Sequence, residues 1–320
     1  MNTGARLGLY GAGLVVAFGG AFGIAGALVP DSVVTNWTEQ ANMQEHSESG
    51  GAAAHESTPA AAPAALPGLA ISAGGFVLAD VTAPARTGEQ GELSFQIQDA
   101  SGAAVTEFTT AHEKELHLIV ARSDGSEFRH VHPVLDHATG TWTTPWEWDA
   151  AGSYRVFTDF TSAAGSALTL SSIVQVAGDF TPVAPQPTAV SEVDGFTVSL
   201  DGELAAGTTS ELVISVSRGG EPVTSLEPYL GAFGHLVALR EGDLAFLHVH
   251  ADGADPAPGQ TAGPEIVFFA EAPTAGRYLL YLDFQVDGKV HTAEFVLDAP
   301  HAAPDAAPSA APDASHGDAH

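Results

Sequence analysis

Two stretches of seventeen residues decide the fold: HLIVARSDGSEFRHVHP at 117–133 and HLVALREGDLAFLHVHA at 235–251. Seven of the 17 aligned positions are identical without a gap. A second matching pair follows them, AGSYRVFTDF at 151–160 and AGRYLLYLDF at 275–284. Self-similarity of this kind is typical of a duplicated domain. The chain is therefore predicted to contain two copies of one fold.

Each copy has the pattern of an all-β domain. Short runs rich in Val, Leu, Phe and Thr recur about every 8–12 residues and are separated by Gly, Asp and Pro. Seven such runs in about a hundred residues are typical of an immunoglobulin-like sandwich. We therefore predict two tandem seven-stranded sandwiches, at 74–178 and 194–298, joined by a Pro-rich linker at 179–193. Tyr154 and Tyr278 are predicted to tie a sheet corner to the backbone through their hydroxyl groups.

The chain ends have a different composition. After Arg6, 23 consecutive positions carry no charge, and a spanning helix needs about 20 such residues. Residues 1–30 are therefore predicted as an N-terminal transmembrane anchor, with a cleavable signal segment as the alternative. The charges on either side place the N-terminus inside, so the protein would be a single-pass cell-membrane protein with extracytoplasmic domains. Residues 31–73 are predicted to be a disordered linker, and 299–320 a disordered acidic tail.

The composition excludes several classes of function. Ten Lys+Arg oppose 39 Asp+Glu, for a formal net charge of −29, so a nucleic-acid partner is not expected because phosphate binding requires a basic surface. The chain has no cysteine, which excludes disulfides, Cys-ligated metals and a cysteine nucleophile. The 14 histidines are the remaining source of nitrogen ligands for a metal.

A hairpin in the first copy brings three of these histidines together. Asp124-Gly125 is a strong signal for a two-residue turn, and counting back from it pairs His130 with Ile119 and His132 with His117. Residues at i and i+2 share a strand face, and opposed residues lie close at Cβ. The imidazoles of His117, His130 and His132 are therefore predicted to converge.

The second copy is predicted to repeat this arrangement. With the turn at Gly242-Asp243, the same count pairs His250 with His235 and places His248 opposite Val237. A slip of one residue in either hairpin would scatter the three rings.

Three imidazoles on a rigid sheet suit zinc or copper(II). Soft copper(I) is not expected, because both methionines lie outside the copies. Further residues could supply a fourth ligand, and the two aspartates that occupy matching positions in the repeats could instead hold the second ring nitrogen of a ligand. These weaker candidates are His112, Asp136, His137, Asp159 and Asp283. The alternative is a buried histidine hydrogen-bond network without metal, which the apolar neighbours on the same strand faces favour.

The anchor, the hairpin HLIVxRxDxxxFxHVHP, the AGxYRVFxDF strand and the segment YLGAFGHLVALR at 229–240 resemble the secreted YtkA-like, heavy-metal-binding proteins of high-GC Gram-positive bacteria. Those proteins are related in architecture to CopC-type copper-resistance sandwiches. The resemblance implies an exported immunoglobulin-like fold that handles copper or another metal, and it supports the same six histidines. The Met-rich copper(I) features of copper-resistance sandwiches are absent from this chain, so copper(I) trafficking is not implied.

The leading hypothesis is a membrane-tethered extracytoplasmic protein that binds copper(II) or zinc in metal homeostasis or resistance. No enzyme is expected, because the chain has no nucleophile elbow, phosphate loop or dinucleotide fingerprint. The alternative is a non-catalytic adhesion or scaffold module in which the histidines are structural. Neither hypothesis identifies a protein partner.

Overall fold

The computed structural model describes residues 66–247, 249–257 and 259–301, and it leaves the side chain of His250 undescribed. The predicted anchor at 1–30, most of the predicted linker at 31–73 and most of the predicted tail at 299–320 lie outside these residues. All regular secondary structure in the described part is β-strand. No helix there is long and apolar enough to cross a bilayer.

Two sheets form the first sandwich. One has the order β1-β2-β3-β8-β7, and the other has the order β10-β9-β5-β6 with β4 paired to β9. The strands are β1 (Ser72–Ala73), β2 (Phe76–Thr82), β3 (Gly91–Gln98), β4 (Phe108–Thr109), β5 (Leu116–Arg122), β6 (Arg129–Val131), β7 (Val134–Asp136), β8 (Thr141–Trp146), β9 (Gly152–Ser162) and β10 (Ala167–Val176).

The second sandwich repeats this plan. The strands are β11 (Val190–Val193), β12 (Phe196–Asp201), β13 (Thr209–Arg218), β14 (Glu221–Pro222), β15 (His235–Arg240), β16 (Phe246–Leu247), β17 (Val249–Ala251), β18 (Glu265–Glu271), β19 (Gly276–Val286) and β20 (Lys289–Ala299). One sheet has the order β11-β12-β13-β18-β17 with β14 paired to β13, and the other has the order β16-β15-β19-β20.

The prediction of two tandem all-β sandwiches is confirmed, but each contains more than seven strands. In both copies the chain changes sheets after the strand that closes the hairpin: β6 and β7 belong to different sheets, and so do β16 and β17. Strands that switch sheets at a bend are a feature of sandwich corners. In the first copy the switch follows His132 at Pro133, which has no N–H to give to a ladder. Strand β11 also shows that the predicted linker at 179–193 ends inside the second sandwich.

A tyrosine fixes the same corner of each sandwich. The Tyr154 hydroxyl donates to the Ala150 carbonyl at 2.8 Å, and the Tyr278 hydroxyl donates to the Thr274 carbonyl at 2.8 Å. Both rings are buried. The predicted structural role of the two tyrosines is confirmed.

Strand β5 is buried on both faces. Leu116, Leu118 and Val120 point into the core of the first sandwich. Their alternate neighbours Ile119 and Ala121 instead join a separate apolar cluster that is shared with the second sandwich. The other buried members of this inter-sandwich cluster are Phe157, Val237, Leu239, Leu244, Leu279 and Tyr281. The face that carries the histidines is therefore the face on which the two sandwiches pack.

The inter-sandwich contact pairs equivalent positions of the two repeats. Phe128 stacks on Tyr281 with ring centroids 3.9 Å apart, and the equivalent pair, Phe246 and Phe157, lies at 5.9 Å. The Tyr281 hydroxyl also donates to the backbone carbonyl of Gly125. The duplicated domain thus uses the same surface on both copies, as an isologous dimer does.

Replacing Gly125 by alanine is expected to destabilise this contact. The new Cβ would lie 2.2 Å from Leu279 Cδ1, and the φ of Gly125 is 84°. Overpacking of this kind costs about 1–3 kcal/mol, in addition to about 1–2 kcal/mol for a left-handed L-residue. The measurement is the free energy of unfolding in urea.

Gly102→Ala is the matched control. Gly102 has a φ of 83° but no atom within 4 Å of its would-be Cβ, so it isolates the cost of the backbone conformation. If the two variants lose the same free energy of unfolding, the Leu279 side chain moves aside without cost and the contact is loosely packed.

Candidate metal centre

The first hairpin has the register that the sequence predicts. Leu118 lies opposite Val131, and Ile119 lies opposite His130. The turn itself is longer than predicted, because the Arg122 N–H donates to the Ser126 carbonyl at 2.9 Å and closes a three-residue loop. A positive φ of 57° at residue 127 accompanies the extra residue, and the pairing beyond it is the predicted one.

The imidazoles of His117, His130 and His132, the histidine trio, meet at one point. His117 Nδ1 lies 3.1 Å from His130 Nε2 and 3.2 Å from His132 Nε2. One nitrogen from each ring can be chosen so that all lie within 4.8 Å of one another. Around a tetrahedral ion with bonds of ~2.0–2.1 Å, ligand nitrogens are about 3.4 Å apart. His130 Nε2 and His132 Nε2 would need to move only a few tenths of an ångström further from His117 Nδ1 to match this spacing.

A hydrogen bond to the outer nitrogen of His117 leaves a lone pair on its inner nitrogen. His117 Nε2 lies 3.2 Å from the Ala111 carbonyl, which can only accept, so this nitrogen carries the proton and Nδ1 has a bare lone pair. That single lone pair faces two imidazole nitrogens. Without an ion it can accept a hydrogen bond from only one of them, whereas an ion would use all three nitrogens.

Burial keeps the trio uncharged. It lowers the pKa of His130 and of His132 to about 3, with further lowering by the neighbouring imidazoles. Burial also lowers the pKa of His117. The neutral imidazole is the form that binds a metal, since a protonated ring has no free lone pair. The trio is therefore held in its ligand form at neutral pH.

The second sandwich orients one ring of the trio. Asp283 Oδ2 lies 2.7 Å from His130 Nδ1, and Asp283 Oδ1 accepts a hydrogen bond from the Thr292 hydroxyl at 2.6 Å. The side chains of His130 and Asp283 are 0% and 3% exposed. A carboxylate on the outer nitrogen of a histidine is the usual support of a metal-binding ring. The sequence suggests this role for Asp283 toward a histidine of the second copy. In the structure Asp283 supports His130 of the first copy instead.

Four further residues of the first copy are predicted as weaker ligand candidates. Two of them, Asp159 and His112, lie near His117, and the other two do not join the trio. Asp159, the repeat equivalent of Asp283, accepts from the Thr169 hydroxyl at 2.7 Å and pairs with His117 through the backbone. His112 is exposed, with its ring centroid 6.1 Å from that of His117. Asp136 accepts hydrogen bonds within its own turn, and His137 Nδ1 donates to the Thr106 carbonyl at 3.0 Å. Among the described residues, neither Asp136 nor His137 is part of a group of three side chains close enough to share a metal ion.

In the second copy, the pairing of His250 with His235 that would bring three histidines together is not formed. Strand β16 ends at Leu247, and β17 continues in the other sheet, where His250 lies opposite Phe269. The prediction that His250 pairs with His235 is therefore wrong. The chain changes sheets two positions earlier than in the first copy. His248 and the side chain of His250 lie outside the described residues.

His235 instead lies beside the trio of the first copy. Its ring centroid is 4.8 Å from that of His130 and 5.6 Å from that of His117. Burial lowers its pKa well below the ordinary value, and the neighbouring histidines lower it further. Sequence reasoning missed this merging of the two copies into one centre. It also missed Thr292, for which a signal existed, since a threonine lies opposite the aspartate in both repeats.

Comparison with solved structures finds only remote similarity. A putative membrane-anchored protein from Corynebacterium diphtheriae is 11% identical over 73% of this chain and 60% of its own, with a TM-score of 0.21. The Yersinia pseudotuberculosis adhesin InvE is 14% identical over 70% and 58%, with a TM-score of 0.20. The FN1–FN3 domains of chicken CNTN1 are 10% identical over 70% and 64%, with a TM-score of 0.18. The chain thus spans about three fifths of the first two, and we take no function from any of them.

No curated protein matches the sequence. A family model does match, in two blocks at 74–178 and 191–301. These blocks coincide with the two sandwiches and together cover most of the chain. The chain belongs to the family of the domain of unknown function DUF8832, of which it carries two copies.

Proposed function

We propose that this protein binds a divalent transition metal ion, zinc or copper(II), through His117, His130 and His132. The observation that carries the proposal is the meeting of three neutral imidazoles, in which His117 Nδ1 lies 3.1 Å from His130 Nε2 and 3.2 Å from His132 Nε2. A single ion can bind all three nitrogens at once. Nitrogen ligands favour zinc and copper(II) over the hard cations magnesium and calcium, which prefer oxygen.

The proposed setting is the extracytoplasmic face of the cell membrane, in metal homeostasis or resistance. Its support is the sequence: the uncharged segment after Arg6 is long enough to span a bilayer, and the charge bias directs the sandwiches outward. The resemblance to YtkA-like proteins and to CopC-type sandwiches points to the same role.

The second candidate is a non-catalytic adhesion or scaffold module. A specific observation favours it: the His130–Asp283 hydrogen bond of 2.7 Å joins the two sandwiches beside their shared apolar cluster. A buried polar network of this kind also serves to fix one arrangement of the two sandwiches. In this candidate the histidines need no ion.

Metal-dependent thermal unfolding of the full chain separates the two candidates. A ligand that binds only the folded state stabilises it by about 2.7 kcal/mol at 100 times its Kd. We expect zinc and copper(II) to raise the Tm of the protein stripped with EDTA, and magnesium and calcium to leave it unchanged. An unchanged Tm with all four ions would reject the metal site and leave the scaffold.

A further inference from the structure

A buried carboxylate beside the trio has no strong cationic partner. Asp283 receives one hydrogen bond from Thr292 and one contact from His130, and in the described residues no lysine or arginine forms an ion pair with it. A buried carboxylate is costly unless a positive charge balances it.

A histidine with a buried, unpartnered nitrogen faces Asp283 across two strands. His235 is directly opposite Asp283 on the adjacent strand. Its Nδ1 is buried and has no hydrogen-bond partner among the described residues. One donor atom each from His130, His235 and Asp283 lies within 4.8 Å of the others. The unbalanced carboxylate and the unpartnered nitrogen are thus parts of one cluster.

An acidic cavity borders this cluster at His235. A cavity of about 310 Å³ is lined by His235 and His112 and by the acidic residues Asp252, Asp255 and Glu265. All three acidic residues are exposed. A concave surface with one sign of charge raises the local concentration of the opposite ion. The cavity therefore favours entry of a cation on the His235 side.

We propose that His130, His235 and Asp283 hold a second divalent cation, adjacent to the ion of the proposed function. This inference rests on that function, because the His130 ring is shared: Nε2 faces the first ion and Nδ1 faces the second. The second cation takes the place of the proton between His130 Nδ1 and Asp283 Oδ2, and that proton leaves to solvent. The bridging imidazolate and the carboxylate then carry two negative charges, which balance the charge of the second cation in a buried site.

The test is a copper(II) titration of the full chain, read by isothermal calorimetry and by electron paramagnetic resonance. The background carries His316→Ala and His320→Ala, so that the tail histidines do not capture metal. We expect two tight equivalents. Two copper(II) ions joined by one imidazolate couple antiferromagnetically, so the resonance intensity per copper should fall as the second equivalent binds.

The variant His235→Ala should bind one equivalent, with intensity proportional to copper. Asp283→Asn, which keeps the shape of the side chain, should also lose the second equivalent and should weaken the first about 10–100-fold. His137→Ala is the matched control and should bind two.

A single tight equivalent in the parent protein and in both variants, at full intensity, would overturn the second site and leave the first. No tight equivalent in any of them would overturn the proposed function as well.

Discussion

Replacing His132 by alanine is expected to lower the zinc affinity of the protein by more than about 100-fold, because loss of a direct ligand exceeds the 10–100-fold cost of losing a supporting residue. His132 contributes its Nε2 at 3.2 Å from His117 Nδ1. Among the trio it is the suitable residue to remove, since its ring is only partly buried and the other two are held by Ala111 and Asp283. Competition with a chromophoric chelator measures the affinity.

His137→Ala is the matched control for this variant. His137 is exposed and hydrogen-bonded to the Thr106 carbonyl, so its removal deletes one imidazole from the same domain without touching the trio. If the zinc affinity is unchanged in both His137→Ala and His132→Ala, zinc does not bind at the trio. The trio would then have a structural role.

The metal-free protein is expected to lose stability as the pH falls below about 6.5. The pKa of His130 is about 3 in the folded state and near 6.5 in an unfolded chain. Between these values unfolding takes up a proton, so the free energy of unfolding falls with falling pH, by at most about 1.4 kcal/mol per pH unit for each such ring. The pKa values of His117, His132 and His235 are lowered in the same direction.

Two carboxyl groups oppose this trend. Burial raises the pKa of Glu294, and it raises that of Asp283 as well, to about 7. The Asp283 carboxyl therefore releases a proton on unfolding in the same window and offsets one imidazole. The four histidines with a lowered pKa outnumber the opposing groups, so the free energy of unfolding still falls as the pH falls. Urea unfolding in EDTA between about pH 7.5 and pH 5 measures the slope, which should be shallower in His132→Ala. A free energy of unfolding that stays level or rises toward pH 5 would contradict the burial of neutral imidazoles.

The local pairing in the first hairpin could be predicted because a short turn fixes the register. Counting back from Asp124-Gly125 places His130 opposite Ile119, as observed, even though the loop is one residue longer than predicted. The tyrosine corners and the tandem sandwiches followed from equally local patterns. Each of these features depends on residues close together in the sequence.

The centre as a whole could not be predicted in this way, because it depends on how the two sandwiches pack. Ile119 and Ala121 have the same apolar character whether they face the sandwich core or a neighbouring domain. The run HLIVAR at 117–122 does carry a signal, since a strand that is apolar on both faces is buried on both. Nothing in the local pattern, however, indicates that Asp283 reaches His130 rather than a histidine of its own copy.

The failure in the second copy has a similar origin. Counting back from the Gly242-Asp243 turn correctly pairs Leu239 with Phe246. The chain then leaves this sheet after Leu247, so the count fails for His250. Where a strand changes sheets is decided by the corner geometry of the sandwich, which leaves no clear mark in the sequence around His250.

The most direct test of the account is an anomalous-diffraction map at the zinc absorption edge, from crystals of the protein grown with zinc. We expect a peak about 2.0–2.1 Å from His117 Nδ1, His130 Nε2 and His132 Nε2. A map with no peak among these three nitrogens at saturating zinc would contradict it.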